Sequence, residues 1–166
     1  MKLRPSLSLE KTLKFEDIVP GQSPQAVFNH GREAGLLPNI RCLEIAVDNS
    51  RFDVGAGVHA RIAIAKLRLN VGFEGAVTDC SLEEGIRIAG EAPPFGGASM
   101  WLKMSSIEEG THIDYGINLR AQDVTRLGAL SFMSLALNRG VEGFASQYKE
   151  NVLGAIALSH GLEASA

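Results

Sequence analysis

The apolar positions of this chain follow two periods in succession. Leu7, Leu9, Leu13 and Phe15 alternate with Ser8, Glu10, Thr12 and Lys14, the two-residue repeat of a strand with one buried face. Lys11 stands on the inward side of that alternation. There it either snorkels at a sheet edge or places an ammonium at the mouth of a cavity. Pro20-Gly21 breaks the strand, and Ser23 followed by Pro24 supplies an N-cap and a first-turn proline for a short helix through Ala26, Val27, Phe28 and His30. Gly31 and Gly35 loosen its end, and Leu36-Leu37-Pro38-Asn39-Ile40 reads as a second helical turn or a tight loop. Two small helices therefore follow the first strand.

From Arg41 the two-residue period resumes and holds for about 80 residues. Leu43, Ile45 and Val47 form one inward set; Val58, Ala60, Ile62 and Ile64 the next; then Leu67, Leu69, Val71, Phe73 and Val77, then Ile86 and Ile88. Met100, Leu102 and Met104, then Ile113, Tyr115, Ile117 and Leu119, continue the series. Asp48-Asn49-Ser50, Glu83-Glu84-Gly85, Pro93-Pro94-Phe95-Gly96-Gly97 and Glu108-Glu109-Gly110 separate these sets at hairpin spacing, which predicts an antiparallel meander with one apolar face.

The period then lengthens. Leu130, Met133, Leu137, Val141, Phe144, Tyr148, Val152 and Ala155 recur at spacings of three and four, one face of a helix predicted from Asp123, its N-cap, to Gly161, its left-handed stop. Leu127 to Leu137 carries no charge and is predicted to be covered on most sides. Beyond it the opposite face holds Arg139, Glu142, Ser146, Lys149 and Glu150. Gly128, Gly140 and Gly143 each weaken a helix interior by roughly 1 kcal/mol, which allows a kink or close backbone packing near Gly140. No other helix is long enough to cover the sheet, so the predicted class is α+β: an antiparallel sheet of about seven strands whose apolar face packs on a long C-terminal helix.

Length and charge narrow the function. The 166 residues suit one domain spanning 1–166, and a net charge of −3 offers no broad basic field for a phosphate backbone, which argues against general nucleic-acid binding. Cys42 and Cys80 form no Cys-x-x-Cys and pair with no histidine at zinc spacing; no metal or covalent cofactor is expected, and a reducing, cytoplasmic compartment is. The charges of Lys2 and Arg4 come too soon for a secretory apolar region, and the nearly uncharged run from Leu127 to Asn138 is too short to span a membrane.

Candidate chemistry is sparse. His30, His59, His112 and His160 lack a second ligand at useful spacing, and no nucleophile elbow, P-loop or dinucleotide fingerprint is present. Inward strand positions are almost wholly aliphatic, with Tyr115 the one hydroxyl and Lys11 the one charge, a wall suited to apolar ligands. Met100, Met104 and Met133, with Phe144 and Tyr115, are expected to line a cavity, since flexible thioethers adapt to uneven shapes. Glu44, Arg61, Asp114 and Arg120 fall on outward parities, and a one-residue slip of register would turn any of them inward. Trp101 and the uncharged start of the last helix are what a protein-binding adaptor would present.

This order of elements resembles the helix-grip fold of the START-like (SRPBCC) superfamily, which implies a curved sheet wrapped around the last helix with a hydrophobic cavity between them, and within it the family of the carbon monoxide dehydrogenase G-subunit. The residues that carry the likeness are Ser23-Pro24-Gln25-Ala26-Val27-Phe28, Leu37-Pro38, Phe73-Glu74-Gly75, Gly96-Gly97-Ala98-Ser99, Gly110-Thr111-His112-Ile113-Asp114-Tyr115 and Leu127-Gly128. Two departures stand out: Leu-Pro-Asn in place of the family's Ile-Pro-Gly, and Gln122-Asp123-Val124-Thr125-Arg126 in place of a glycine-rich helix entry. The resemblance covers nearly the whole chain. It implies a non-enzymatic binder of a lipid-like or quinone-like molecule, an accessory factor of a molybdenum hydroxylase-type dehydrogenase, with a dehydrogenase complex or a membrane surface as partner. The expected ligand-binding set is Phe28, Phe73, Met100, Met104, Tyr115, Ile117, Met133, Leu137 and Phe144. Because the superfamily includes polyketide cyclases and dehydratases, an enzyme of that kind is the alternative, and a protein-binding adaptor a further one.

Overall fold

The computed structural model describes residues 9–38, 43–64, 69–93, 96–121 and 127–164, with side chains for 10–38, 43–63, 70–93, 96–120 and 138–161. Strand β1 (Leu9–Pro20) leads into helix α1 (Pro24–Gly31), where the Ser23 hydroxyl accepts from the Ala26 N–H at 3.2 Å and Pro24 opens the first turn. The second small helix is a single 3-10 turn, Ala34–Leu36. Six strands follow: β2 (Leu43–Val47), β3 (Gly57–Ile64), β4 (Leu69–Ser81), β5 (Gly85–Ala92), β6 (Gly96–Ile107) and β7 (Gly110–Ala121); helix α2 (Leu127–Ala164) comes last. All seven strands form one antiparallel sheet in the order β1-β7-β6-β5-β4-β3-β2. The first strand thus closes onto the last, and β1 and β2 are the edges.

Register keeps the inward parities together. Phe15 faces Tyr115, Tyr115 faces Leu102 and Leu102 faces Ile86; the next row is Leu13, Ile117, Met100, Ile88 and Val77. A bulge between Val77 and Asp79 inserts a residue into β4, which bends the strand and raises its local twist. Val19, Val58, Val71, Val77 and Ile156 are at most 2% exposed and form the centre of the core with Val27, Phe28, Phe73 and Val152. The sheet curls around α2 in a helix grip.

Two local expectations are corrected. The turn at Asp48-Asn49-Ser50 opens a longer connection over residues 48–56, in which Asn49 and Ser50 take positive φ of 61° and 58° and the chain folds back onto α1 and β4. The Phe52 N–H donates to Arg32 O at 2.8 Å and the Gly55 N–H to Val77 O at 2.8 Å, which buries Phe52. Gly161 does not stop α2, which runs on to Ala164. A helical glycine costs about 1 kcal/mol, less than the roughly 1.5–3 kcal/mol gained by burying an anchor such as Ile156. Helix α2 is continuous across Gly140 and Gly143, and a Cβ at Gly143 would meet nothing within 4 Å. The N-cap expected at Asp123 lies outside the described residues. Among the described residues no helix is long and apolar enough to cross a membrane.

Candidate functional site

Between the concave face of the sheet and α2 lies an apolar cavity of about 170 Å³. Strands β5, β6 and β7 form its floor with Ile86, Ile88, Met100, Leu102, Met104, Ile113, Tyr115 and Ile117. Its roof is α2, through Val141, Phe144, Ala145, Tyr148, Lys149 and Val152. Val27, Gly31, Leu37, Leu43, Ile45 and Phe52 close one end, and Asp17 and Val19 of β1 stand at the side.

Of the nine residues expected to bind ligand, Met100, Met104, Tyr115, Ile117 and Phe144 are in this wall. Phe28 and Phe73 are buried in the core but do not line the cavity: Phe28 packs under the Arg32 guanidinium, 5.5 Å from its ring centroid, and the Phe73 ring lies against Gly75. The side chains of Met133 and Leu137 lie outside the described residues. Lys11 is half-buried and is not part of the wall.

The polar equipment differs from that read in the sequence. Lys149 does not point away from the sheet. Its Nζ lies 3.0 Å from Asp17 Oδ1 and 2.9 Å from Oδ2, an ion pair between β1 and α2 with both side chains about one-third exposed. Asp17 Oδ1 also accepts from the Ile18 N–H at 2.7 Å. Tyr148 is a second phenol in the wall; its hydroxyl donates to the Gly31 carbonyl and fastens α2 to the end of α1. Asn151 adds a neighbouring tie, Nδ2 to Leu36 O at 2.8 Å. Burial pushes the Tyr148 phenol far above its ordinary range, and Glu33 adds to the effect. Tyr115, stacked on Phe15 with centroids 5.3 Å apart, is also raised, first by burial and then by the carboxylates of Asp17 and Glu142.

Asp17 carried a readable signal, since it extends the inward series Leu13, Phe15 and Val19 of one strand. Lys149 adjoins Tyr148 at the border of the apolar stripe, where helical spacing alone places a long side chain on neither face.

Outside the cavity the outward parities hold. Asp114 accepts from Trp101 Nε1 at 2.8 Å and pairs with Lys14 at 2.9 Å; Arg120 pairs with Glu10 at 2.6 Å; Glu44 and Arg61 are exposed. His59 lies between Glu74 and Asp48, and His112 near Glu16. Cys80 donates its thiol to Phe52 O at 2.7 Å, and burial pushes that thiol up. Among the described residues, no three of His, Cys, Asp and Glu gather as metal ligands.

Comparison of the sequence with models of known families gives no match, and comparison with curated proteins gives none. Solved structures do match. TTHA0849 from Thermus thermophilus is 18% identical at a TM-score of 0.63, over 87% of this chain and 99% of that one. The chain has the helix-grip fold. Ara h 8.0201 is similar at a TM-score of 0.63 and 10% identity, over 87% of this chain and 99% of its own. The di-domain ARO/CYC StfQ from the steffimycin biosynthetic pathway is similar at 0.62 and 11% identity, over 90% of this chain and 52% of that one. The neighbours thus include START-like proteins, and at these identities the likeness is one of fold.

Proposed function

We propose that the protein binds a hydrophobic small molecule, lipid-like or quinone-like, between its sheet and last helix and releases it unchanged. The observation that supports this is the wall itself, which among the described residues is aliphatic and aromatic except at Asp17, Lys149 and two tyrosines, one of which is committed to Gly31. Size sharpens the reading. A dry cavity of roughly 150 Å³ accepts benzene, so about 170 Å³ accommodates one ring, and any longer tail leaves along the grip. Ligand at a hundred times its dissociation constant should add roughly 2.7 kcal/mol to stability, read as a raised melting temperature. Mass spectrometry of an organic extract of the native protein identifies the occupant. Failure of every hydrophobic ligand to shift melting would overturn the reading.

A second reading is an enzyme of the polyketide cyclase or dehydratase kind. What favours it is the ion pair Asp17–Lys149 in the wall, which supplies the polar groups an aliphatic cavity would lack. Turnover of a polyketide-like substrate, lost in Asp17→Asn, would replace the carrier by the enzyme. The finer role, an accessory factor of a molybdenum hydroxylase-type dehydrogenase acting at that complex or at a membrane surface, rests on the sequence resemblance to the carbon monoxide dehydrogenase G-subunit family; co-purification with such a dehydrogenase tests it.

A further inference from the structure

Of the polar groups in and around the cavity wall, three bear on what head group a ligand carries. Lys149 is held by both oxygens of Asp17, at 2.9 and 3.0 Å, so its charge is already matched. Glu142 lies about two helical turns before Lys149 on α2, exposed, and its field, like that of Asp17, reaches the Tyr115 phenol in the wall. Within the wall Asp17 and Lys149 cancel, and the exposed Glu142, outside the wall, adds only a negative field screened by solvent. Among the described residues the wall holds no second cation for an anionic head: Lys11 shares the inward side of β1 but lies six residues from Asp17, roughly 20 Å along the strand, and is outside the wall.

We infer that this cluster makes the cavity selective for ligands with a neutral hydroxyl-bearing head, and that it turns away carboxylates of the same shape. A phenolic or alcoholic O–H can donate to Asp17 without breaking the ion pair and can exchange a hydrogen bond with Tyr115. An incoming carboxylate can reach Lys149 only by displacing Asp17 or by sharing the ammonium with it. Either arrangement leaves two carboxylates close together in a partly dry site, where like charges repel more strongly than in water. An apolar molecule without a head group gains nothing from the cluster. The ligand class is therefore a ring-bearing neutral phenol, quinol or alcohol rather than a fatty or aromatic acid. This inference rests on the ligand-binding reading above.

The test uses three probes of one shape, 4-propylphenol, 4-propylbenzoate and propylbenzene, titrated calorimetrically at about pH 7.5 into the full chain. The phenol should bind tightest, with the benzoate at least about tenfold weaker and propylbenzene several-fold weaker. In Asp17→Asn the freed Lys149 should raise benzoate affinity by about tenfold while the phenol, whose O–H loses its charged acceptor, weakens a few-fold, a reversal of preference that a merely structural role for Asp17 would not produce. Glu142→Gln, at an exposed position, should raise benzoate affinity by a few-fold at low salt and less at high salt. Benzoate binding the wild type as tightly as phenol, or propylbenzene matching both, would overturn the selectivity and leave the binding reading intact. Binding of none of the three would remove the binding reading and the selectivity with it. The wild-type comparison requires no variant to fold.

Discussion

Replacing Tyr148 by Phe removes one oxygen from the contact that joins α2 to α1, and its consequence depends on pH in a way that can be worked out. The hydroxyl donates to the Gly31 carbonyl, and the residue at the other end of that bond is itself buried. A neutral hydrogen bond contributes on the order of 1 kcal/mol net, and a buried carbonyl left without a partner costs about 1–3 kcal/mol, so Tyr148→Phe should lower stability by about 2 kcal/mol at pH 7. For a chain of this size that corresponds to a drop of roughly 4–8 °C in melting temperature. The folded phenol is held well above its ordinary value of 10.0 by burial and by Glu33. With the folded pKa raised, its stabilising contribution is complete below pH 10 and is lost as the pH rises beyond it, at about 1.4 kcal/mol per unit. Phenylalanine has no such loss. The gap between wild type and variant should therefore narrow by about 1.4 kcal/mol between pH 8 and pH 11, about 1 kcal/mol of it between pH 10 and pH 11, measured by urea unfolding in parallel at pH 8, 10 and 11. Tyr115 titrates alike in both proteins and cancels. A gap that is zero at pH 8, or one that stays constant to pH 11, would refute the assignment of Tyr148 as a buried neutral donor.

Other outcomes follow from neighbouring parts of the fold. Phe144→Asp places a carboxylate in the roof of the cavity and should abolish ligand-induced melting shifts, whereas Tyr115→Phe should weaken binding by on the order of 1 kcal/mol, both read in the same thermal assay. Ile156→Ala at a site 1% exposed should cost about 2–5 kcal/mol in denaturant unfolding. Gly116→Ala should destabilise by about 1–3 kcal/mol and alter Trp101 fluorescence, because a Cβ there would run into the Leu13 carbonyl and the Trp101 ring. Burial pushes the Asp114 carboxyl up, but the Trp101 N–H and Lys14 outweigh it and hold the group below its ordinary value of 3.8. Its stabilising contribution should be present above about pH 4 and be lost as the pH falls through the lower folded value, a dependence that Asp114→Asn removes.

The sheet was legible because parity is a strong constraint. Once Leu43, Ile45, Val58 and Ala60 are inward, every neighbour is placed, and a slip would expose the whole set. The Ser23-Pro24 helix start was equally plain. The wall of the cavity was read where it follows that parity, at Met100, Met104, Tyr115 and Ile117. Phe52 was not, because it sits in a connection with no period, buried by backbone bonds to Arg32 that no local pattern announces. Asp17 and Lys149 escaped for a different reason: Asp17 had the inward parity of β1 but a charge, Lys149 stood at the border of its helix face, and their meeting across 132 residues is what makes both tolerable in an apolar wall. Gly161 shows the opposite error, a strong local stop signal overridden by the helix that Val152 and Ile156 anchor.

The closure of β1 onto β7 also sets an order of events. Strands β2 to β7 are joined in sequence and can pair as successive hairpins, each closing a modest loop. The pairing of Glu10 with Arg120, and the ties from Tyr148 to Gly31 and from Asn151 to Leu36, span 110, 117 and 115 residues. Contacts of that separation fix a large loop entropy before they return any energy, which makes folding slow compared with a bundle of similar size. During synthesis β2 to β7 emerge before α2, so a meander that pairs early would expose its concave apolar face until the helix covers it. A bound hydrophobic ligand or a chaperone at that face would shield it during the wait, and ligand loading would then belong to synthesis as much as to the finished protein.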